Sequence, residues 1–152
     1  KDVEDIRIEL TTEGYIRTKK KSKQRPKVSH PDRFESSDGT LIEVGKNNLQ
    51  NERLSFKQAD RRDIWLHVQK IPGSHVIIHD ANPSEATLIE AAKLAAYYSK
   101  ARDSANVPVD YLPAGKLRKP NGAKPGFVIF EGQQTLYVTP DAALVSQLKI
   151  KK

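Results

Sequence analysis

From Thr40 onward, short apolar runs are set between Gly, Pro and Asn, and the spacing inside each run separates strands from helices. Residues 40–44 read as a strand that Gly45 breaks. Asn47 or Asn48 then caps a helix reaching to about Ala59, with Leu49, Leu54, Phe56 and Ala59 available for burial. Residues 63–68 alternate: Ile64, Leu66 and Val68 fall on a core face, and Asp63, Trp65 and His67 on the other. After Pro72-Gly73, the run from His75 to His79 predicts a second strand, with Val76 and Ile78 opposite His75, Ile77 and His79. The two runs suit a hairpin-like pair.

Asn82-Pro83-Ser84-Glu85 predicts a helix start, with Asn82 as cap, Pro83 at the first helical position and Glu85 closing a capping box. The Ala-rich stretch to about Lys100 puts Leu88, Ile89, Ala92, Ala95, Ala96 and Ser99 on one stripe, small enough to lie close against a sheet. Residues 107–112, 126–130 and 135–138 read as further strands. Thr139-Pro140-Asp141 caps a short helix over residues 142–148. Strands and helices do not alternate strictly, so the expected class is α+β, a mixed, mainly antiparallel sheet with the long Ala-rich helix packed on it.

The first 37 residues differ. Val3, Ile6, Leu10 and, less regularly, Ile8 recur at helical spacing up to Gly14, which reads as the end of a helical, coiled-coil arm over residues 1–16. Lys1 and Arg7 against Asp2, Glu4, Asp5, Glu9 and Glu13 give that arm a charge of −3. Arg17, Lys19, Lys20, Lys21, Lys23, Arg25 and Lys27 follow with no acid among them, a block of +7 that equals the formal net charge of the whole chain. Such a block repels itself and has little to bury, so residues 17–37 are expected to be a flexible basic linker leading into a domain over residues 38–152. The linker suits either a phosphate-binding arm or a solubilising tether.

Composition narrows the chemistry. The 152 residues contain no Cys, which excludes a disulfide framework, thiolate catalysis and Cys-based metal sites. Mean hydropathy is −0.64 and no apolar run is long enough to cross a bilayer, so no membrane partner is expected. Met is absent even at position 1, which reads as a piece of a longer chain, and Lys1 to Leu10 alternate charged and apolar residues without a secretory core, so the cytoplasm is the default compartment. There is no GxSxG elbow, phosphate-binding Walker loop or GxGxxG, and Ser74 and His75 fall on opposite faces of a strand. His67, His75 and His79 near Asp63 and Asp80 resemble a metal set, but structural or surface histidines are far commoner. No catalytic residue, metal or cofactor is expected.

Two features favour a polyanion. Asp63, Trp65 and His67 on one strand face could stack on a nucleobase and reach its edges, or the indole could be covered by the Ala-rich helix with Asp63 fixing His67. Residues 111–130 contain no acid, and Lys116, Arg118, Lys119 and Lys124 lie there in a Pro/Gly-rich loop that can expose them to phosphates, or simply to water. Lys46-Asn47-Asn48 at a strand-to-helix junction offers a further anion site, with capping alone as the plainer role for the asparagines.

Five strings in order carry a resemblance: Ser36-Ser37-Asp38-Gly39; Val44-Gly45-Lys46-Asn47-Asn48-Leu49-Gln50-Asn51; Asp63-Ile64-Trp65-Leu66-His67-Val68; Ile71-Pro72-Gly73-Ser74-His75-Val76; and Lys119-Pro120-Asn121-Gly122-Ala123-Lys124-Pro125-Gly126. Together they resemble the NFACT-R domain that closes the RqcH/FbpA class of ribosome quality-control proteins. The resemblance implies a non-enzymatic RNA-binding module of a factor that binds stalled large ribosomal subunits carrying peptidyl-tRNA. Such a factor recruits tRNA, alanyl-tRNA in bacteria, for untemplated tailing of the nascent chain. It implies rRNA and tRNA as partners, together with the factor's own N-terminal domains. Lys46, Asn47, Asn48, Asp63, Trp65, His67, His75 and Lys124 match the signature positions; with Arg118 and Lys119 from the basic loop they form the candidate nucleic-acid-binding set. Some members are described as fibronectin-binding adhesins, which implies an alternative protein-interaction role at the cell surface.

Overall fold

The structure, a computed structural model, describes residues 30–150. Six strands form one sheet: β1 (Asp32–Glu35), β2 (Leu41–Val44), β3 (Ile64–Val68), β4 (Val76–Ile78), β5 (Val107–Pro113) and β6 (Gln134–Val138). They are ordered β1-β2-β4-β3-β5-β6, and every neighbouring pair is antiparallel. Three α-helices complete the fold, α1 (Asn48–Arg53), α2 (Glu85–Tyr97) and α3 (Ala142–Leu148), so the α+β class holds. The arm expected over residues 1–16 and the linker up to residue 29 lie outside the described residues.

The expected linker is too long at its end. Residues 32–35 form β1, pairing with β2 so that Phe34 opposes Ile42, and Phe34 is fully buried. One large apolar side chain with a partner strand overrides the polar context around it.

The strand period divides the core in two. Ile42, Val44, Leu66, Val68, Val76, Ile78, Val107 and Val109 face α2 and α3. Helix α2 lies close because it meets the sheet with Ala91, Ala92, Ala95 and Ala96, all fully buried. Its start differs from expectation: Ser84, not Asn82, is the N-cap and accepts from the Thr87 N–H, while the Asn82 N–H turns to Asp80. Ser84 Oγ and Thr87 Oγ1 both donate to Asp38, whose carboxylate also holds Ser36 Oγ and Thr40 Oγ1. The Ser36-Ser37-Asp38-Gly39 string is therefore the β1–β2 turn, with Gly39 at φ +90°, latched onto the start of α2.

The opposite sheet face carries a second core of Leu54, Trp65, Ile77, Leu112, Ala114 and Leu117. It is roofed by α1, the π-helical turn Leu54–Gln58 that continues it, and the segment 114–130. Residues 126–130 are not a strand of the sheet as expected. Their one ladder contact is the bridge Arg118–Ile129, because Val128 and Phe130 pack down onto the face rather than extending its edge.

Candidate nucleic-acid interface

The roof over the second face is built around α1. Asn47 caps it, its side chain accepting from the Gln50 N–H at 2.9 Å, and the Lys46 N–H donates to Gln50 Oε1. Asn51 points inward and its Oδ1 accepts the His75 N–H at 3.1 Å. A Cβ on Gly45 would collide with that same side chain, so Gly45 is required by a close approach. Ser55 on the π-helical turn meets His75 Nδ1 at 2.7 Å. Burial, with the neighbouring His67 second, pushes the His75 pKa down to about 3, which keeps the imidazole neutral.

Trp65 corrects the idea of a strand-borne stacking platform. The indole is 1% exposed, lies against the His67 ring at 5.7 Å and 13°, and meets His75 edge-on at 5.2 Å and Phe130 at 5.1 Å. It offers no face to a base. The cover comes from the π-helical turn and the 114–130 segment, not from the Ala-rich helix, which lies on the other face of the sheet. Asp63 does not fix His67 either. It is buried and accepts from the Asp60 N–H, and it meets His79 Nδ1 at 2.9 Å, while His79 Nε2 meets Glu43 at 2.7 Å. His67 is half-buried, and burial lowers its pKa.

The basic residues divide into tied and open. Lys46 pairs with Asp32 of β1 at 3.1 Å, away from the loop, and Lys119 pairs with Glu52 of α1. Lys119 is therefore part of the scaffold. Arg118 and Lys124 are exposed on the loop, and Asn48 is exposed where its backbone packs on Gly126. The structure thus brings Lys119 and the loop that carries Lys124 onto α1, through Glu52 and through Gly126 against Asn48, with His75 beneath, and leaves Lys46 apart.

The wider charge is one-sided. Residues 47–62 and 114–131, the segments that roof the second face, carry eight Lys and Arg against three Asp and Glu, a balance of +5. Residues 30–150 as a whole carry 15 against 14, or +1. The remainder is therefore at −4, and the cations are concentrated in the roof segments. Arg53, Lys57, Arg61 and Arg62 are exposed on these segments, and no acid-free run or junction motif marks them in the sequence, because Glu52 and Asp60 stand among them. Phe127, 53% exposed, also goes unmarked, because a run of four apolar residues reads as a buried strand.

Residues 31–132 match the family described as NFACT protein RNA binding domain. A Bacillus subtilis protein named Rqc2 homolog RqcH is 50% identical over 152 residues, covering 98% of this chain and 27% of that protein. The Streptococcus suis protein of the same name is 48% identical over 151 residues, again covering 98% and 27%. A solved structure of the C-terminal part of the fibronectin/fibrinogen-binding protein from Streptococcus suis superimposes with a TM-score of 0.82 at 49% identity. That match covers 84% of this chain and 52% of that one. The chain thus spans about a quarter of the length of these curated relatives.

Proposed function

The chain belongs to the NFACT RNA-binding domain family, and on that premise we propose that it is the RNA-contacting module of a factor that engages stalled large ribosomal subunits. In this reading the factor recruits tRNA for untemplated alanine tailing in the cytoplasm, and this module grips rRNA or tRNA without catalysing a step. The relatives named RqcH support the ribosome quality-control setting. The observation that carries the reading is the one-sided roof: a balance of +5 in the segments over one face of a domain that is otherwise acidic suits a phosphate backbone. The neutral, hydrogen-bonded His75 and the buried Asp63 and Trp65 serve as the rigid support beneath it, while Arg118 and Lys124 are the open phosphate contacts.

The test is a filter-binding titration of the chain against tRNA and large-subunit rRNA fragments across a salt series. The double substitution Arg118→Glu/Lys124→Glu should weaken binding and reduce the slope of log affinity against log salt by about two, roughly one per lost contact. Unchanged affinity and slope would sink the reading. The solved relative is named for fibronectin and fibrinogen binding, which favours a second reading as a protein-interaction module. Binding to fibronectin that barely responds to salt, with no measurable RNA affinity, would establish that one instead.

A further inference from the structure

The residues 127–130, Phe-Val-Ile-Phe, divide their apolar surface in two. Val128 and Phe130 pack inward on the second core, whereas Phe127 is 53% and Ile129 47% exposed. The inward pair closes the roof, and about half of each outward side chain is left open to solvent. Arg118 directly opposes Ile129 in the bridge, and directly opposed residues of an antiparallel pair share a side. Phe127, two positions before Ile129, is exposed as Ile129 is, while Val128 and Phe130 turn inward. On the other flank the Phe127 N–H donates to the Lys124 carbonyl at 3.1 Å. The backbone carrying the ring is held: the Gly126 N–H donates to Glu52 at 2.9 Å, and Arg118 and Ile129 exchange two hydrogen bonds of 2.9 Å. An exposed aromatic ring is therefore presented on a fixed loop that also carries two open cations, in a stretch from Tyr111 to Phe130 without an acid.

We propose that Phe127 is a stacking platform for an unpaired base of the bound RNA, with Arg118 and Lys124 holding the phosphates on either side. The inference rests on the RNA-binding reading above. Within a continuous duplex both faces of each base are already stacked, so a protein ring of this kind selects a splayed or single-stranded nucleotide.

The test is fluorescence anisotropy of the full chain with a labelled single-stranded oligoribonucleotide and with a duplex of equal phosphate count. Phe127→Ala should weaken single-strand binding about 5- to 140-fold, the range of one base–aromatic stack, with an unchanged salt slope and unchanged duplex affinity. Phe127→Leu, which keeps apolar bulk without a π face, should lose as much, and Phe127→Trp should restore binding. If the unsubstituted chain binds single-stranded RNA and Phe127→Ala or Phe127→Leu binds it equally well, this inference falls and the proposed function stands. Absence of RNA binding by the unsubstituted chain overturns both. Equal losses on single strand and duplex overturn the stacking role, as does a ribosomal protein whose capture depends on Phe127 while RNA binding does not.

Discussion

The Glu52 carboxylate accepts the Gly126 backbone N–H at 2.9 Å across 74 residues of sequence, and its other oxygen takes the Lys119 ammonium. Gly126 sits at φ +86°, and a Cβ there would come within 3.3 Å of the Asn48 carbonyl oxygen. The two ends of the Lys119-to-Gly126 string therefore close on one acidic side chain of α1. This makes the loop a fixed part of the roof although it lacks regular secondary structure, and a fixed loop presents its open cations with little ordering cost on binding.

Glu52→Ala should release that loop. The Lys119 pairing, with the Gly126 hydrogen bond second, holds the Glu52 carboxyl below its ordinary pKa, and the pair is partly exposed, so the loss of stability should be about 1 kcal/mol. Glu52→Gln keeps an acceptor for Gly126 and should cost less. Amide hydrogen exchange checks it: protection of Arg118 and Ile129 should fall in Glu52→Ala, and unchanged exchange would show that the loop is held by Val128 and Phe130 alone.

The turn at Asp38 makes a second prediction. Thr87 is fully buried, and its hydroxyl serves both Ser36 Oγ at 2.9 Å and Asp38 at 2.8 Å. Thr87→Val keeps the shape and leaves the buried Ser36 without that partner, so thermal unfolding should show a loss of about 1–2 kcal/mol. RNA affinity should not move, because the latch lies at the start of α2, on the other side of the sheet from the roof. A stability within 0.5 kcal/mol of the parent would mean the network relaxes around the missing hydroxyl.

The sheet was legible where period and packing agreed. Residues 64–68 alternate and residues 107–112 form a short apolar-rich run, and both became inner strands. The start of α2 was misplaced by two residues because Asn82-Pro83 and Ser84-Glu85 offer equivalent caps locally, and the choice is made by Asp38, 46 residues away from Ser84. Trp65 and His67 were rightly placed on one face, but alternation along a strand does not say whether that face is covered. The cover comes from Leu54, Leu117 and Phe130, none of which is near in sequence. Nor does sequence show that Lys119 is engaged and Lys124 free, since the difference is made by Glu52 alone.

Trp65 is the chain's one tryptophan, so its fluorescence reports that site alone. Buried between His67, His75 and Phe130, the indole should emit at short wavelength and resist quenching by acrylamide. Added RNA should leave the emission unchanged, whereas an indole stacked on a base would be strongly quenched. Trp65→Ala should cost about 3–5 kcal/mol as a core truncation.

Stability should peak near pH 6.5, because His79 on one side and His75 and His67 on the other pull in opposite directions. Both nitrogens of His79 face carboxylates, and the hydrogen bond to Glu43 above all raises its pKa from 6.5. Its contribution is complete below 6.5 and is lost as pH rises through the raised value, where the unfolded chain has already released the proton. His75, lowered to about 3 chiefly by burial, and His67, lowered by the same cause, act the other way. Below pH 6.5 the unfolded chain takes up protons that the folded rings refuse, so stability falls as pH falls. Glu43, held down by His79, adds to the acid loss below about its ordinary 4.5. Denaturant titrations from pH 4 to 9 should therefore show two falling limbs. His79→Gln should flatten the alkaline limb and leave the His75 and His67 part of the acid limb in place. An alkaline limb that survives in His79→Gln would show that the Glu43–His79–Asp63 bridge carries no proton-linked stability.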